Sequence, residues 1–304
     1  MGVSASDGPV VPPLLALGVA VLAISTSAIL VRWSDAPNVV KALYRVSFTV
    51  GALLPLALRD RRAVGRIERR DGLVAVVAGV LLAVHFVAWF ESLDHTSVAA
   101  SVTLVQAQPV FVVVGAWLLL DERATRRSLV GIGVALVGMG WLSFGSVLTS
   151  TTDPTTVAGT HYGNALALLG AVAAAGYVLA GRSLRRRLAL LPYVTVVYTA
   201  CTFVLLAVAL ARGLPLLEYP AREWGLFAAM ALGPGVLGHT VVNWALGHVE
   251  SHVVSVTLLG EPVGSTVLAV ALLSEVPTPG TLVSGAVVLA GIYVTASARR
   301  YADA

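Results

Sequence analysis

Two charged side chains inside long apolar segments are the residues of this sequence most able to do chemistry. They are Arg45 and Glu261. A charged group in such a segment is costly unless it is paired or faces a polar cavity, so each is a candidate functional residue. Arg45 could snorkel to a membrane interface, or it could face a central cavity and pair with an anion. Glu261 lies too far from either segment end to snorkel. It could be a proton-coupling carboxylate, a ligand for a cationic group or a structural hydrogen-bond acceptor.

Histidines, aromatic rings, amides and prolines accompany these charges. His85 and His239 lie in mid-segment, where each could take part in proton coupling or be a hydrogen-bonded core residue. The other candidates for lining a cavity are Trp89, Gln108, Pro109, Asn243, Trp244 and Pro262. Both tryptophans could instead belong to an interfacial aromatic belt. The prolines should loosen their helices at matching places, which is typical of transporter binding sites, although packing kinks are the alternative.

The composition indicates which elements must hold these side chains. Of 304 residues, 57% are hydrophobic and 12% are charged, about half the usual charged share of soluble proteins. The mean hydropathy is +0.87. These values exclude a soluble enzyme, a disordered chain and a disulfide scaffold. Because a crossing helix needs about 20 apolar residues, the sequence predicts ten spans, at 13–31, 39–58, 72–90, 98–119, 128–146, 163–181, 192–211, 224–246, 253–273 and 280–298.

The distribution of basic residues predicts the orientation of the spans. Fifteen of the 20 lysines and arginines fall in the loops after the second, fourth and sixth spans or at the C-terminus. Four fall on the opposite side, and Arg45 is inside a span. Since basic residues concentrate in cytoplasmic loops, both termini are predicted to be cytoplasmic.

Within the eighth span, Gly233-Pro234-Gly235 and Gly238 should bend or break the helix.

An internal repeat relates the two halves of the chain. At a constant spacing of 153 positions, Pro109 matches Pro262, Glu122 matches Glu275 and Gly138 matches Gly291. Because each half holds five spans, the second half should start on the opposite side of the membrane, as in secondary transporters with inverted repeats. The predicted division is an N-terminal tail (1–12), a first repeat (13–146), an external linker (147–162), a second, inverted repeat (163–298) and a C-terminal tail (299–304).

Motifs for enzymatic chemistry are absent from the sequence. It lacks the metalloprotease and phosphate-loop patterns and has one lysine and one cysteine, Cys201. We therefore expect no catalytic residue, metal or cofactor, no disulfide within the chain, and transport driven by gradients. Glu122 and Glu275, at span ends, are interpreted as structural anchors between helices.

The sequence resembles the EamA-type transporters of the drug/metabolite transporter superfamily from about Leu14 to Ser297. The resemblance lies in the order of Tyr44-Arg45, Leu119-Leu120-Asp121-Glu122, Gly260-Glu261-Pro262-Val263 and Leu272-Leu273-Ser274-Glu275, with glycine-rich helices after each final glutamate. It implies ten helices around a central cavity and export or exchange of small metabolites, amino acids or drugs.

The function expected from the sequence is secondary transport of a small organic solute across the plasma membrane by alternating access. The cavity would be built from the third, fourth, eighth and ninth spans. The expected partners are the solute, the lipid bilayer and a coupling proton or ion, with no nucleic acid, and the chain would be a monomer or homodimer. An intramembrane enzyme using His239 and Glu261 as acid and base is the main alternative, and a channel is a third.

Overall fold

The computed structural model describes residues 12–59, 67–119, 125–149, 154–185, 187–242 and 257–297, and this part of the chain is helical without strands. The first half holds α1 (Pro13–Trp33), α2 (Asn38–Arg59), α3 (Arg69–His95), α4 (Val98–Val105), α5 (Gln108–Leu119) and α6 (Arg126–Thr149). The second half holds α7 (Pro154–Arg185), α8 (Leu190–Ala211), α9 (Ala221–Met230), a π-helical segment (Ala231–Thr240), α10 (Gly260–Leu273) and α11 (Pro279–Ser297).

Each of the ten predicted spans coincides with helix in the described residues. Five stretches are long and apolar enough to cross a membrane by themselves: Leu14–Trp33, Arg69–His95, Val98–Leu118, Ala158–Gly181 and Leu191–Ala211. Two shorter apolar helices, Gly260–Leu273 and Pro279–Thr295, follow later in the chain. The helical class of the fold is therefore confirmed, while the count of ten crossings stays a prediction.

The fourth span is interrupted where the sequence predicted a loosened helix. Gln106 and Ala107 form a turn between α4 and α5. The corresponding position in the second half, Leu259, is also a turn, directly before α10. Pro109 and Pro262 lie in the first turns of α5 and α10, where a missing backbone N–H costs no helical hydrogen bond. The prolines therefore start new helical segments instead of kinking continuous ones.

The Gly-Pro-Gly run of the eighth span widens the helix without breaking it. Helix α9 continues directly into the π-helical segment Ala231–Thr240, which contains Pro234. Proline lacks the N–H for a regular helical bond, and a π-helix accommodates the gap by wider turns. At Gly235 a Cβ atom would lie 2.6 Å from the Thr49 hydroxyl of α2. The glycine therefore allows α2 to pack closely on the widened segment.

The helix packing is nearly the same when the two halves are exchanged. Helix α1 packs on the π-helical segment and on α10, while α7, the corresponding helix of the second half, packs on α3 and on α4 and α5. Helices α2 and α8 contact each other, as do α6 and α11. This pattern is what two related halves around a pseudo-twofold axis would produce.

Small residues bring α6 and α11 together, and this contact yields a stability prediction. A Cβ at Gly138 would lie 2.7 Å from the Val288 backbone nitrogen, whereas a Cβ at Gly140 has nothing within 4 Å among the described residues. We expect Gly138→Ala to lower the free energy of unfolding by about 1–3 kcal/mol, because the helices must move apart. The matched control Gly140→Ala should change it by less than about 0.5 kcal/mol. Thermal unfolding in detergent compares the two, and equal unfolding temperatures would contradict the prediction.

Candidate functional site

A cavity of about 240 Å³ lies in the middle of the helix bundle. The cavity is lined by side chains of α1, α2, α3, α5, α7, α8 and α10, of the turn between α4 and α5, and of the π-helical segment. The sequence predicted the third, fourth, eighth and ninth spans as its walls. The structure adds the first, second, sixth and seventh.

The cavity lining follows the internal repeat. Five pairs of lining residues are separated by 153 positions, the spacing found in the sequence: Ile24 and Tyr177, Arg45 and Tyr198, Leu82 and Gly235, Phe86 and His239, and Gln108 and Glu261. The repeat register therefore extends over the first and second spans as well. Because both members of each pair reach the same cavity, the cavity lies where the two halves meet.

Arg45 faces this cavity from α2. Its side chain is 2% exposed, and its guanidinium group donates a hydrogen bond of 2.6 Å to the Ser27 hydroxyl of α1. The guanidinium carbon lies 4.7 Å from the centre of the Phe86 ring and 5.9 Å from the Trp89 ring. A cation over aromatic faces is stabilised by the ring quadrupoles. Of the two interpretations of Arg45, the geometry favours the cavity-facing one.

Glu261 faces the same cavity from the first turn of α10. It is 8% exposed, and its Oε2 atom accepts a hydrogen bond of 2.5 Å from the amide nitrogen of Gln106. This bond links the interrupted fourth span of the first half to the ninth span of the second. Sequence reasoning missed Gln106, although an amide inside an apolar span two positions before Gln108 is the signal that would have identified it.

The two histidines reach the cavity in different ways. His85 lines it and shares a hydrogen bond of 2.9 Å between its Nδ1 atom and the Gly170 carbonyl oxygen of α7. Its ring lies 6.0 Å from the Trp89 ring and nearly parallel to it. His239 lines the cavity from the π-helical segment, at the position that corresponds to Phe86. His85 is therefore both a hydrogen-bonded core residue and a cavity residue.

The remaining predicted site residues are placed as follows. Gln108 lines the cavity, whereas Trp89, Pro109 and Pro262 are not among its lining residues. Trp89 is 4% exposed and packs beside Arg45 and His85. Asn243 and Trp244 lie outside the described residues.

Two tyrosines add hydroxyl groups to the polar lining and were missed from the sequence. Tyr177 and Tyr198 come from α7 and α8. Extending the repeat register to the second span would have identified Tyr198, because it corresponds to Arg45. Tyr177 corresponds to Ile24, which was not a candidate, so the register does not mark it. The arrangement thus offers one cation, one carboxylate, amides and hydroxyl groups to a molecule of moderate size.

Comparison with known proteins identifies a matching family and a solved structure with a similar fold. The model of a family described as the EamA-like transporter family matches residues 12–144 and 161–297. No curated protein has significant similarity to the chain. A solved structure described only as "Crystal structure of protein" is 22% identical, with 95% of this chain and 98% of that chain covered and a TM-score of 0.61. At that identity the likeness concerns the fold alone.

Proposed function

Because the chain belongs to the EamA-like transporter family, a group within the drug/metabolite transporter superfamily, we propose that this membrane protein carries a small charged solute by alternating access. In the proposal, ten helices form two inverted five-helix repeats in the plasma membrane, with both termini in the cytoplasm. Gradients drive the transport. One observation carries the proposal: residues of both halves, related by the 153-position repeat, line a single central cavity. Binding sites of inverted-repeat transporters lie at such an interface between repeats.

Contacts between loops support the alternating path of the chain. Arg32 contacts Glu275, and Asp35 contacts Arg222, so loops predicted to be external meet at one end of the bundle. Arg187 contacts Asp71, and both belong to the side predicted to be cytoplasmic. Helices that cross the membrane in alternating directions would bring these loops together in this way.

The charges of the cavity favour a zwitterionic solute of amino-acid size. Arg45 can pair with a carboxylate and Glu261 with an ammonium group, and both line one cavity. Its volume of about 240 Å³ is below the roughly 300–1,000 Å³ of sites for drug-sized ligands. We therefore propose a small metabolite with both charges as the solute.

A proton is the proposed coupling ion. Glu261 is the acidic residue that lines the cavity in the described part of the chain, and it contacts Gln106 across the two halves. A carboxylate that alternately binds a proton and a cationic group of the solute would link the two fluxes. The enzyme alternative has no support, because the family is one of transporters.

A thermal-shift screen tests the solute class. Purified protein is heated with amino acids, nucleosides, sugars and cationic drugs. We expect amino acids to raise the unfolding temperature, because ligand binding stabilises the folded state by mass action. Analogues with the amino group acetylated or the carboxylate amidated serve as matched controls. They should give no shift, since each loses one of the two ion pairs.

Flux into liposomes then tests the transport mode. Radiolabelled forms of the stabilising compounds should enter liposomes saturably, and unlabelled compound inside should accelerate entry. Non-saturable flux would indicate a channel. Stabilisation by sugars or nucleosides alone would contradict the zwitterionic solute, and chemical conversion of the compound in detergent micelles would favour an enzyme.

A further inference from the structure

A cluster of ionic hydrogen bonds joins four helices at the end of the bundle predicted to be external. Arg32, in the last turn of α1, contacts the Glu275 carboxylate at 3.3 Å and donates to the Leu93 carbonyl oxygen near the end of α3. The other carboxylate oxygen of Glu275 accepts a hydrogen bond of 2.6 Å from the backbone nitrogen of Val98, the first residue of α4. The carboxylate thus ties α10 of the second half to three elements of the first half.

The local backbone explains why Glu275 reaches this place. Helix α10 ends at Ser274, whose φ of 55° is in the left-handed region. The Glu275 nitrogen then bonds back to the Ala269 carbonyl oxygen at 3.1 Å. This capping pattern turns the chain away from the helix axis. Glu275 is therefore directed towards α1 and α4 by a specific helix end, as expected for the structural anchor predicted from the sequence.

The same helices that form the cluster also form the cavity. Ile24, His85 and Gln106 line the cavity, and each is eight positions from Arg32, Leu93 and Val98 respectively. Eight helical residues span about 12 Å, so the cluster forms a layer at one end of the cavity. A molecule entering from that end must pass between helices that the cluster holds together.

Other contacts between the halves have a different geometry. The Ser34 hydroxyl donates to Glu223 at 2.5 Å, which joins the end of α1 to α9. Arg187 contacts Asp71 at 3.0 Å, which joins the end of α7 to α3. These two contacts lie at opposite ends of the bundle and connect corresponding helix pairs. Both contacts are present in the same structure. The closure of one end of the bundle therefore does not require the contact at the other end to break.

We propose that the Arg32–Glu275 pair is the outer closure of the transport pathway and must separate before solute can pass on the external side. This inference rests on the proposed alternating-access function. The contact between Arg32 and Glu275 is held by charge-assisted hydrogen bonds, in which the guanidinium group and both carboxylate oxygens take part. Such bonds are about twice as strong as neutral ones. Separation of the pair removes the ionic link of α10 to α1 and, through Arg32, to α3.

Accessibility of a single cysteine tests the closure without requiring a known solute. Cys201 is the one cysteine of the chain and is buried, so Cys201→Ala provides the background. Val178→Cys places a thiol on the cavity wall at an uncharged position. Intact cells are treated with a membrane-impermeant thiol reagent, and the labelling rate is measured. We expect Arg32→Gln and Glu275→Gln each to increase labelling from outside about tenfold, the effect of a modest shift in a two-state equilibrium.

The control is an arginine at the same end of the bundle. Arg222 contacts Asp35 at 3.1 Å and donates to the Trp33 carbonyl oxygen, without a contact to α10 or α4 in the described contacts. Arg222→Gln should leave the labelling rate unchanged. The reversed pair Arg32→Glu with Glu275→Arg should return the rate towards that of the background, because the charges attract again. Size-exclusion profiles establish that each variant is folded.

The outcomes separate the closure from the transport proposal. Equal labelling in Arg32→Gln, Glu275→Gln and Arg222→Gln would overturn the closure. A labelling increase without saturable flux of any screened compound would keep the closure and overturn the proposed transport function.

Discussion

Replacing Arg45 by glutamine will weaken binding of a zwitterionic solute about 100-fold, equivalent to about 2.7 kcal/mol. The guanidinium group is 2% exposed and lines the cavity. Loss of one partner from a desolvated charge pair costs about 2–5 kcal/mol, since the other charge stays unpaired. Glutamine keeps a polar side chain at this position without the positive charge. The measurement is the concentration of amino acid that gives half of the maximal thermal shift.

Two variants identify the cause of that loss. Arg45→Lys keeps the charge but not the planar group above Phe86, and it should retain part of the affinity. Val178→Ala changes the same cavity without a change of charge and should bind nearly as the parent protein does. Unaltered binding by Arg45→Gln would remove Arg45 from the solute site.

Replacing Glu261 by glutamine will abolish the response of net transport to a pH gradient, while solute exchange will continue with a weakened affinity, because the ammonium group of the solute loses its ion pair. Glutamine has nearly the shape of glutamate and can contact Gln106, but it cannot release a proton. Exchange of labelled for unlabelled solute needs no net proton movement, so it should continue. The measurement compares flux into liposomes with and without an imposed pH gradient, alongside exchange at equal pH on both sides.

The conservative variant Glu261→Asp controls for the position of the carboxylate. It should keep a response to the pH gradient, with a lower rate because the shorter side chain no longer reaches Gln106 well. If Glu261→Gln retained both the rate and the pH response, a coupling role of this residue would be abandoned. If exchange stopped even at high solute concentration, the ion pair with Glu261 would be indispensable for binding the solute.

Of the features of the site, the 153-position repeat was the one that the sequence predicted best. Gln108 and Glu261 were paired by the 153-position spacing, and the structure brings both to one cavity. The same register, applied to the first two spans of each half, pairs Ile24 with Tyr177 and Arg45 with Tyr198. Those spans are so rich in alanine, valine and leucine that their matches carry little weight alone, and so the tyrosines were missed.

The orientation of each helix about its own axis could not be read from the sequence. In most of these helices, the side that packs on other helices and the side that faces away from them are both apolar, so the hydrophobic pattern does not mark the inner face. On α6, Val137 is 67% exposed and Met139 is 4% exposed, although both are apolar. The choice between a snorkelling and a cavity-facing Arg45 depended on this rotation.

The sequence by itself determined the environment, the family and the repeat. Apolar segments of sufficient length, basic residues at their ends and a constant spacing between matching residues are properties of the chain in one dimension, and the family match agrees with them. Only the tertiary structure decided that Gln106 binds Glu261 and that Arg32 meets Glu275, since those contacts join residues 155 and 243 positions apart. The physical reason is that close packing of small residues sets both the rotation and the separation of the helices.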